Sequence, residues 1–125
     1  MNRSRATALA GILTIALGGC GGSSNKQLSY SDFISQANAQ CKAGQAAAAK
    51  AQTPAEAAPI VQKAVDKFKK LKPPDQLKAA FDRFVSISEK QAADLKNGDV
   101  KGATALNDAS NKAAQEMGAQ DCVSQ

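Results

Sequence analysis

The chain has 125 residues, 43% hydrophobic and 22% charged, with 16 lysines and arginines against 11 acids and a formal net charge of +5. It has no histidine, which removes Ser-His-Asp catalysis, HExxH zinc chemistry, covalent haem attachment through CxxCH and the Glu-x-x-His ligand pairs of di-iron bundles. Four phenylalanines, one tyrosine and no tryptophan supply aromatic material for a single modest core.

The opening MNRSR carries Arg3 and Arg5 and no acid, and the stretch from Ala6 to Leu17 is free of charge. This is the layout of a secretory signal's n-region and h-region. A spanning helix needs about 20 apolar residues, so the run is too short to cross a bilayer. Ser4 separates the arginines, so the twin-arginine export signal is absent and the general secretory route is expected.

Leu17, Gly18, Gly19 and Cys20 then resemble the lipobox of bacterial lipoproteins. The resemblance implies cleavage before Cys20, a diacylglyceryl thioether on its sulfur with acyl chains such as palmitate, and often a third chain on its amine. Two chains anchor stably where one is marginal. Gly21, Gly22, Ser23 and Ser24 come next and read as flexible coil. The expected organisation is a signal peptide over residues 1–19, the lipidated cysteine and tether over 20–28, and a helical domain over 29–125. The domain is expected on the extracytoplasmic face of a cell membrane or outer membrane.

Beyond the tether the pattern is helical throughout, without a period-2 run of β-branched residues. The first helix is expected from Tyr30, capped by Ser29 with Asp32 three places on, to about residue 52. Its inward residues are Tyr30, Phe33, Ile34, Ala37, Cys41 and Ala48. Thr53, Pro54 and Glu56 give the second helix a cap, a first-turn proline and a capping-box acid. Its inward stripe is Ile60, Val61, Ala64, Val65, Phe68 and Leu71, and Pro59 predicts a reset start or, preferably, a kink.

"LKPPDQL" ends that helix, because the residue before a proline leaves the α region. A third helix is expected over residues 74 to 96 with Leu77, Phe81, Phe84, Val85, Ser88 and Leu95 inward. Asn97, Gly98 and Asp99 supply a stop, a left-handed cap and a new N-cap. A fourth helix then covers residues 100 to 117, with Ala103, Leu106, Ala109, Ala113 and Met117 inward and Gly118 as its cap. Short joints make the expected fold all-α, an up-down four-helix bundle.

With Cys20 assigned to lipid, Cys41 and Cys122 remain, and an exported domain with two cysteines has one internal pairing. A structural disulfide is favoured over a redox-active pair, since there is no CxxC, and over an intermolecular bridge. The tail must then fold back along the bundle to bring Cys122 to Cys41. The opening Tyr30, Phe33, Ala37 and Cys41, the central "LKPPDQL" and a terminal cysteine after a glycine-capped helix resemble small, uncharacterised bacterial envelope proteins with two cysteines. That resemblance implies the helical fold and the disulfide, and no activity.

Five of the eleven carboxylates stand four residues from a lysine on one helix face: Asp66 with Lys70, Lys78 with Asp82, Lys90 with Asp94, Asp108 with Lys112, and Lys112 with Glu116. Such pairs keep a helix soluble. "DLKNGD", residues 94 to 99, is cap chemistry rather than a calcium loop, which needs twelve residues in a set ligand order. One feature exceeds this background: "KAVDKFKKLK", residues 63 to 72, holds five lysines against one acid. Lys63, Lys67 and Lys70 form a stripe that either complements the helix dipole or meets an anionic surface. Nucleic acid is disfavoured for lack of interleaved aromatics.

The function expected is therefore non-enzymatic, without cofactor or metal. A monomeric, membrane-anchored domain would bind a partner protein or an anionic envelope polymer or surface. The alternative is a binder of a small apolar ligand between helices. A large interhelical apolar cavity would favour the second, and a packed interior with an outer groove the first.

Overall fold

A computed structural model describes residues 26–124. The expected signal peptide, the lipobox and Cys20 lie outside the described residues. Within them the chain is all-helical, without a strand, and comprises α1 (Tyr30–Ala48), α2 (Pro54–Phe68), α3 (Asp75–Lys96), α4 (Val100–Ala105), α5 (Asn107–Met117) and a 3-10 turn (Gln120–Cys122). None of these helices is long and apolar enough to cross a membrane.

The cap residues act where the sequence places them. Ser29 Oγ accepts from the Asp32 N–H, Thr53 Oγ1 from the Glu56 N–H, and Asp99 Oδ1 from the Gly102 N–H. Gly98 and Gly118 both take φ +77°, the left-handed conformation that closes α3 and α5. After Gly118 the Ala119 N–H donates back to the Ala114 carbonyl, and the chain reverses.

α3 lies at the centre, packed on α2, α4 and α5, while α1 meets α2 on one side and the 3-10 turn on the other. All four phenylalanines join in one aromatic chain. The Phe33 ring meets Phe81 edge-on at 5.8 Å, Phe81 stacks on Phe68 at 5.4 Å, and Phe68 tilts against Phe84 at 5.0 Å. Leu71, Leu77, Met117 and Ala119 complete this core, with Leu28 and Ile34 packed at its edge. Leu28 is held by main chain as well: its N–H donates to the Lys72 carbonyl at 2.8 Å. The Gln27 amide donates to the Pro73 carbonyl and to Asp75 Oδ1. The last residues assigned to the tether are thus docked on the α2–α3 connection.

Several elements depart from the sequence reading. α1 stops at Ala48 rather than near residue 52, because the Gln52 N–H is taken by Glu56 Oε2 in the cap of α2. α2 runs unbroken through Pro59, so its start is not reset. Pro59 and Ala55 are both exposed, and the Ala55 carbonyl, which loses its N–H partner to the proline, has water within reach.

The expected fourth helix is two helices, α4 and α5, separated at Leu106. There the Ala103 carbonyl accepts from the Leu106 N–H and from the Gln91 amide of α3, and the Thr104 hydroxyl donates back to the Val100 carbonyl, a bond that bends helices. The buried face nevertheless keeps the phase set by Ala103, with Ser110, Ala114 and Met117 seven, eleven and fourteen residues on. Ser110, Ala113, Ala114 and Met117 are buried, whereas Ala109 is exposed and Leu106 only half-buried. Tyr30, expected inward, is 50% exposed.

Candidate functional site

The first half of α1 contributes Phe33 and Ile34 to the core, but from Gln40 onward the face it turns to the other helices holds nothing bulkier than glutamine and cysteine. Gln40, Cys41, Gly44, Gln45 and Ala48 border open space there. α2 faces this space with Val61, Ala64, Val65 and Phe68, and α3 with Phe84, Val85, Ser88 and Gln91. Asn107 and Ser110 of α5, with Cys122 and Ser124 of the tail, complete the border. The result is a cleft of about 390 Å³, within the range of small-molecule sites. It is half open to solvent, mostly apolar, and lined by no charged residue.

Cys41 and Cys122, 81 positions apart in sequence, are joined in a disulfide with Cα atoms 5.0 Å apart. The bond forms part of the cleft border, where it meets the aromatic core. The tail that carries Cys122 does fold back along the helices, fixed by a series of polar contacts. The Asp121 N–H donates to Asn38 Oδ1 at 3.0 Å, and the Gln45 amide donates to the Asp121 carbonyl at 2.9 Å. The Asp121 carboxylate pairs with Lys42 at 3.2 Å. Asn111 grips Ser124 in both directions, accepting its N–H and donating to its carbonyl.

The polar side chains that α3 and α5 turn to the cleft form a strip, apart from Gln40 and Gln45 on α1 and Ser124 of the tail. Ser88 and Gln91 are three residues apart on α3, and Asn107 and Ser110 three apart on α5, spacings that put each pair on one helix face. The Gln91 amide donates to the Ala103 carbonyl at 3.1 Å and to Asn107 Oδ1 at 2.9 Å. Ser88 and Ser110 are 8% and 7% exposed. The side-chain hydrogen bonds among the described residues do not include either hydroxyl, and no fully buried side-chain oxygen or nitrogen there lacks a partner. Both serines line the cleft, and neither hydroxyl is fully enclosed.

The lysine stripe is dispersed. Lys63 and Lys67 flank a second, outer groove of about 250 Å³ between α1 and α2, and Lys70 lies in the turn after α2. All three are exposed. Their neighbour Lys69 pairs with Glu89 of α3 at 2.6 Å. That pair holds the Lys69 ammonium above the ordinary lysine value, first through the hydrogen bond and then through the charge of Glu89. Of the five expected same-helix pairs, Lys78 with Asp82 forms an ion pair. The remaining ion pairs among the described residues join different segments: Lys69 to Glu89, Arg83 to Glu116, and Lys42 to Asp121. No group of three potential metal-ligating side chains comes together among the described residues.

Sequence reasoning placed Cys41, Cys122 and Ser88 correctly toward the interior but missed Gln91, Asn107 and Ser110. The available signal was the polar spacing of Gln91 against the Asn107–Ser110 pair, with Ser110 seven residues after the inward Ala103 and so on the same helix face. Compared with known proteins, the chain matches no family model, no curated sequence and no solved structure.

Proposed function

We propose that the protein is a non-enzymatic binding domain that holds a small, mainly apolar ligand in the cleft between α1, α2, α3 and α5. The observation that carries this reading is the cleft itself: about 390 Å³ bordered by Val61, Val65, Phe68, Phe84 and Val85 with a short polar strip. Of the two functions expected from the sequence, it favours the ligand binder. The helix adjacencies are read as an up-down bundle that has opened along the seam between α1 and α5. The sequence around Leu17 to Cys20 supports a lipid anchor on Cys20, which would hold a monomeric domain on the extracytoplasmic face of the envelope. Acyl mass on Cys20 in protein from intact cells is the expected mass-spectrometric result, and its absence removes the anchor from the proposal.

The binding test uses N-phenyl-1-naphthylamine, a neutral probe that fluoresces in apolar surroundings. The full chain should bind it, and Ser110→Leu, which extends a side chain into the cleft, should weaken binding about tenfold, the loss of roughly 1.4 kcal/mol. Far-UV circular dichroism should be unchanged. Equal binding by both proteins rejects the cleft as the site.

A second reading, contact with an anionic envelope surface, is favoured by one observation. Lys63 and Lys67 are exposed at the edge of the outer groove and take part in no ion pair among the described residues. Replacing Lys63, Lys67 and Lys70 with Gln should then reduce salt-sensitive binding to anionic vesicles more than the same change at Lys78, Lys90 and Lys112. Equal losses assign the stripe to helix-end complementation.

A further inference from the structure

We infer that the cleft selects an uncharged ligand, one whose apolar body carries a hydroxyl or carboxamide that meets the polar strip of Ser88, Gln91, Asn107 and Ser110. The inference rests on the cleft-binding reading above and names the class of its ligand. The first ground is charge. In a chain with 22% charged residues, none borders the cleft; Glu89, beside Ser88 in sequence, is turned to Lys69, and Lys42, beside Cys41, to Asp121. An ion entering the cleft loses hydration and finds no counter-charge, so it is penalised against a neutral molecule of the same shape.

The second ground is the state of the two serines. Each is more than nine-tenths buried, lines the cleft, and has a hydroxyl that is not fully enclosed and takes no hydrogen bond among the described residues. A pure hydrocarbon seated there would take water from both hydroxyls and return nothing, which costs the full desolvation of each group. A ligand with its own hydrogen-bonding group replaces that water.

The third ground is the pairing of Gln91 with Asn107. Both protons of the Gln91 amide are used, one on the Ala103 carbonyl and one on Asn107 Oδ1. What the pair has left is the Gln91 carbonyl oxygen, an acceptor, and the Asn107 amide nitrogen, a donor. A hydroxyl or a carboxamide can serve both at once. A carboxylate only accepts and an ammonium only donates, so each leaves one of the two facing a group it repels.

Displacement of N-phenyl-1-naphthylamine from the full chain, at neutral pH, by four molecules with one shared chain tests this: decanol, decanamide, decanoate and decylammonium. Decanol and decanamide should displace the probe at concentrations about tenfold lower than the two ions, as expected for one satisfied against one unsatisfied hydrogen-bonding group. In the Ser88→Ala/Ser110→Ala variant, which keeps the shape of the cleft, decanol should need an about tenfold higher concentration to displace the probe, while decane, which makes no hydrogen bond, should compete at least as well as it does against the wild type. If the four compete alike, or an ion competes best, the neutral-ligand inference is overturned while the cleft reading stands. If decanol competes equally well against the double variant, the two hydroxyls do not meet the ligand and their assignment to the polar strip is overturned. Failure of the probe to bind at all removes the cleft reading itself, and this inference with it.

Discussion

One half of the molecule is packed and the other is open, although the same helices run through both. Near the docked Leu28, α1 contributes Phe33 and Ile34, and these meet Phe81, Leu77 and Met117. Further along, α1 contributes Gly44 and Ala48, and nothing from α2, α3 or α5 grows to compensate. Interiors are normally filled to crystal-like density. Where side chains on all facing helices stay short, the space persists, and stability has to come from the packed half and from the covalent link at the boundary between the two.

This contrast is sharpest in a pair of truncations. Phe33→Ala removes a fully buried ring and should destabilise the fold by about 3–5 kcal/mol. Val61→Ala, on the half-buried border of the cleft, should cost about 1 kcal/mol, since the space beyond it is already empty. Urea unfolding of both variants checks the difference, and equal costs would mean that the open half is filled in solution.

Reducing the disulfide comes next in size. It closes a separation of 81 residues, for which the chain-entropy account gives roughly 4–5 kcal/mol, with removal of native bridges typically measured at about 2–5 kcal/mol. The unfolding midpoint should fall with reductant in the wild type and not in the Cys41→Ser/Cys122→Ser protein. Peptide mapping without reductant should recover Cys41 and Cys122 in one linked species, and free thiols at both positions would remove the bridge from the account.

The two left-handed glycines give a smaller and more discriminating comparison. At Gly98 an added Cβ meets nothing within 4 Å, so Gly98→Ala should cost only the conformational penalty, about 1–2 kcal/mol. At Gly118 the same atom would lie 2.9 Å from Tyr30 Oη and 3.3 Å from Ile34 Cδ1. Gly118→Ala should therefore be the more destabilising of the two, unless the half-exposed Tyr30 swings clear. Thermal melts of Gly118→Ala with and without Tyr30→Ala separate the two contributions.

The smallest effect is a pH dependence. The Lys69 ammonium is held above the ordinary lysine value of 10.5 by Glu89. A raised folded-state value means that its contribution is whole below 10.5 and is lost as pH rises through the raised value. The pair is exposed, so the effect is slight. Wild type and Lys69→Gln should differ in unfolding midpoint at neutral pH and converge in strong alkali, and a difference that persists there would assign the effect to packing of the lysine stem.

What could be read from the sequence was local. Ser29, Thr53 and Asp99 were legible as caps, and Gly98 and Gly118 as stops, because each acts on a backbone group within a few residues of itself. The disulfide was legible because two cysteines allow one internal pair. What could not be read depends on contacts distant in sequence. The break at Leu106 reflects Gln91 reaching the Ala103 carbonyl from another helix. Glu89 and Glu116 turned to Lys69 and Arg83 on neighbouring helices, although Glu116 has Lys112 one turn away on its own. The cleft was legible only as a surplus of alanine, and its polar strip forms where Gln91 of α3 meets Asn107 of α5.

The disulfide also sets a timetable. A chain made from its N-terminus at about 5–20 residues per second presents Cys41 roughly 4–16 s before Cys122 exists, given the 81 positions between them. Throughout that interval Cys41 is a lone thiol, and the only other sulfhydryl already made is Cys20. A premature Cys20–Cys41 link would tie α1 to the segment before it and leave Cys122 without a mate. Under the proposed lipid anchor, acylation of Cys20 would do more than fasten the domain to a bilayer: it would protect the thiol ahead of time, leaving Cys41 to wait for the last turn of the chain.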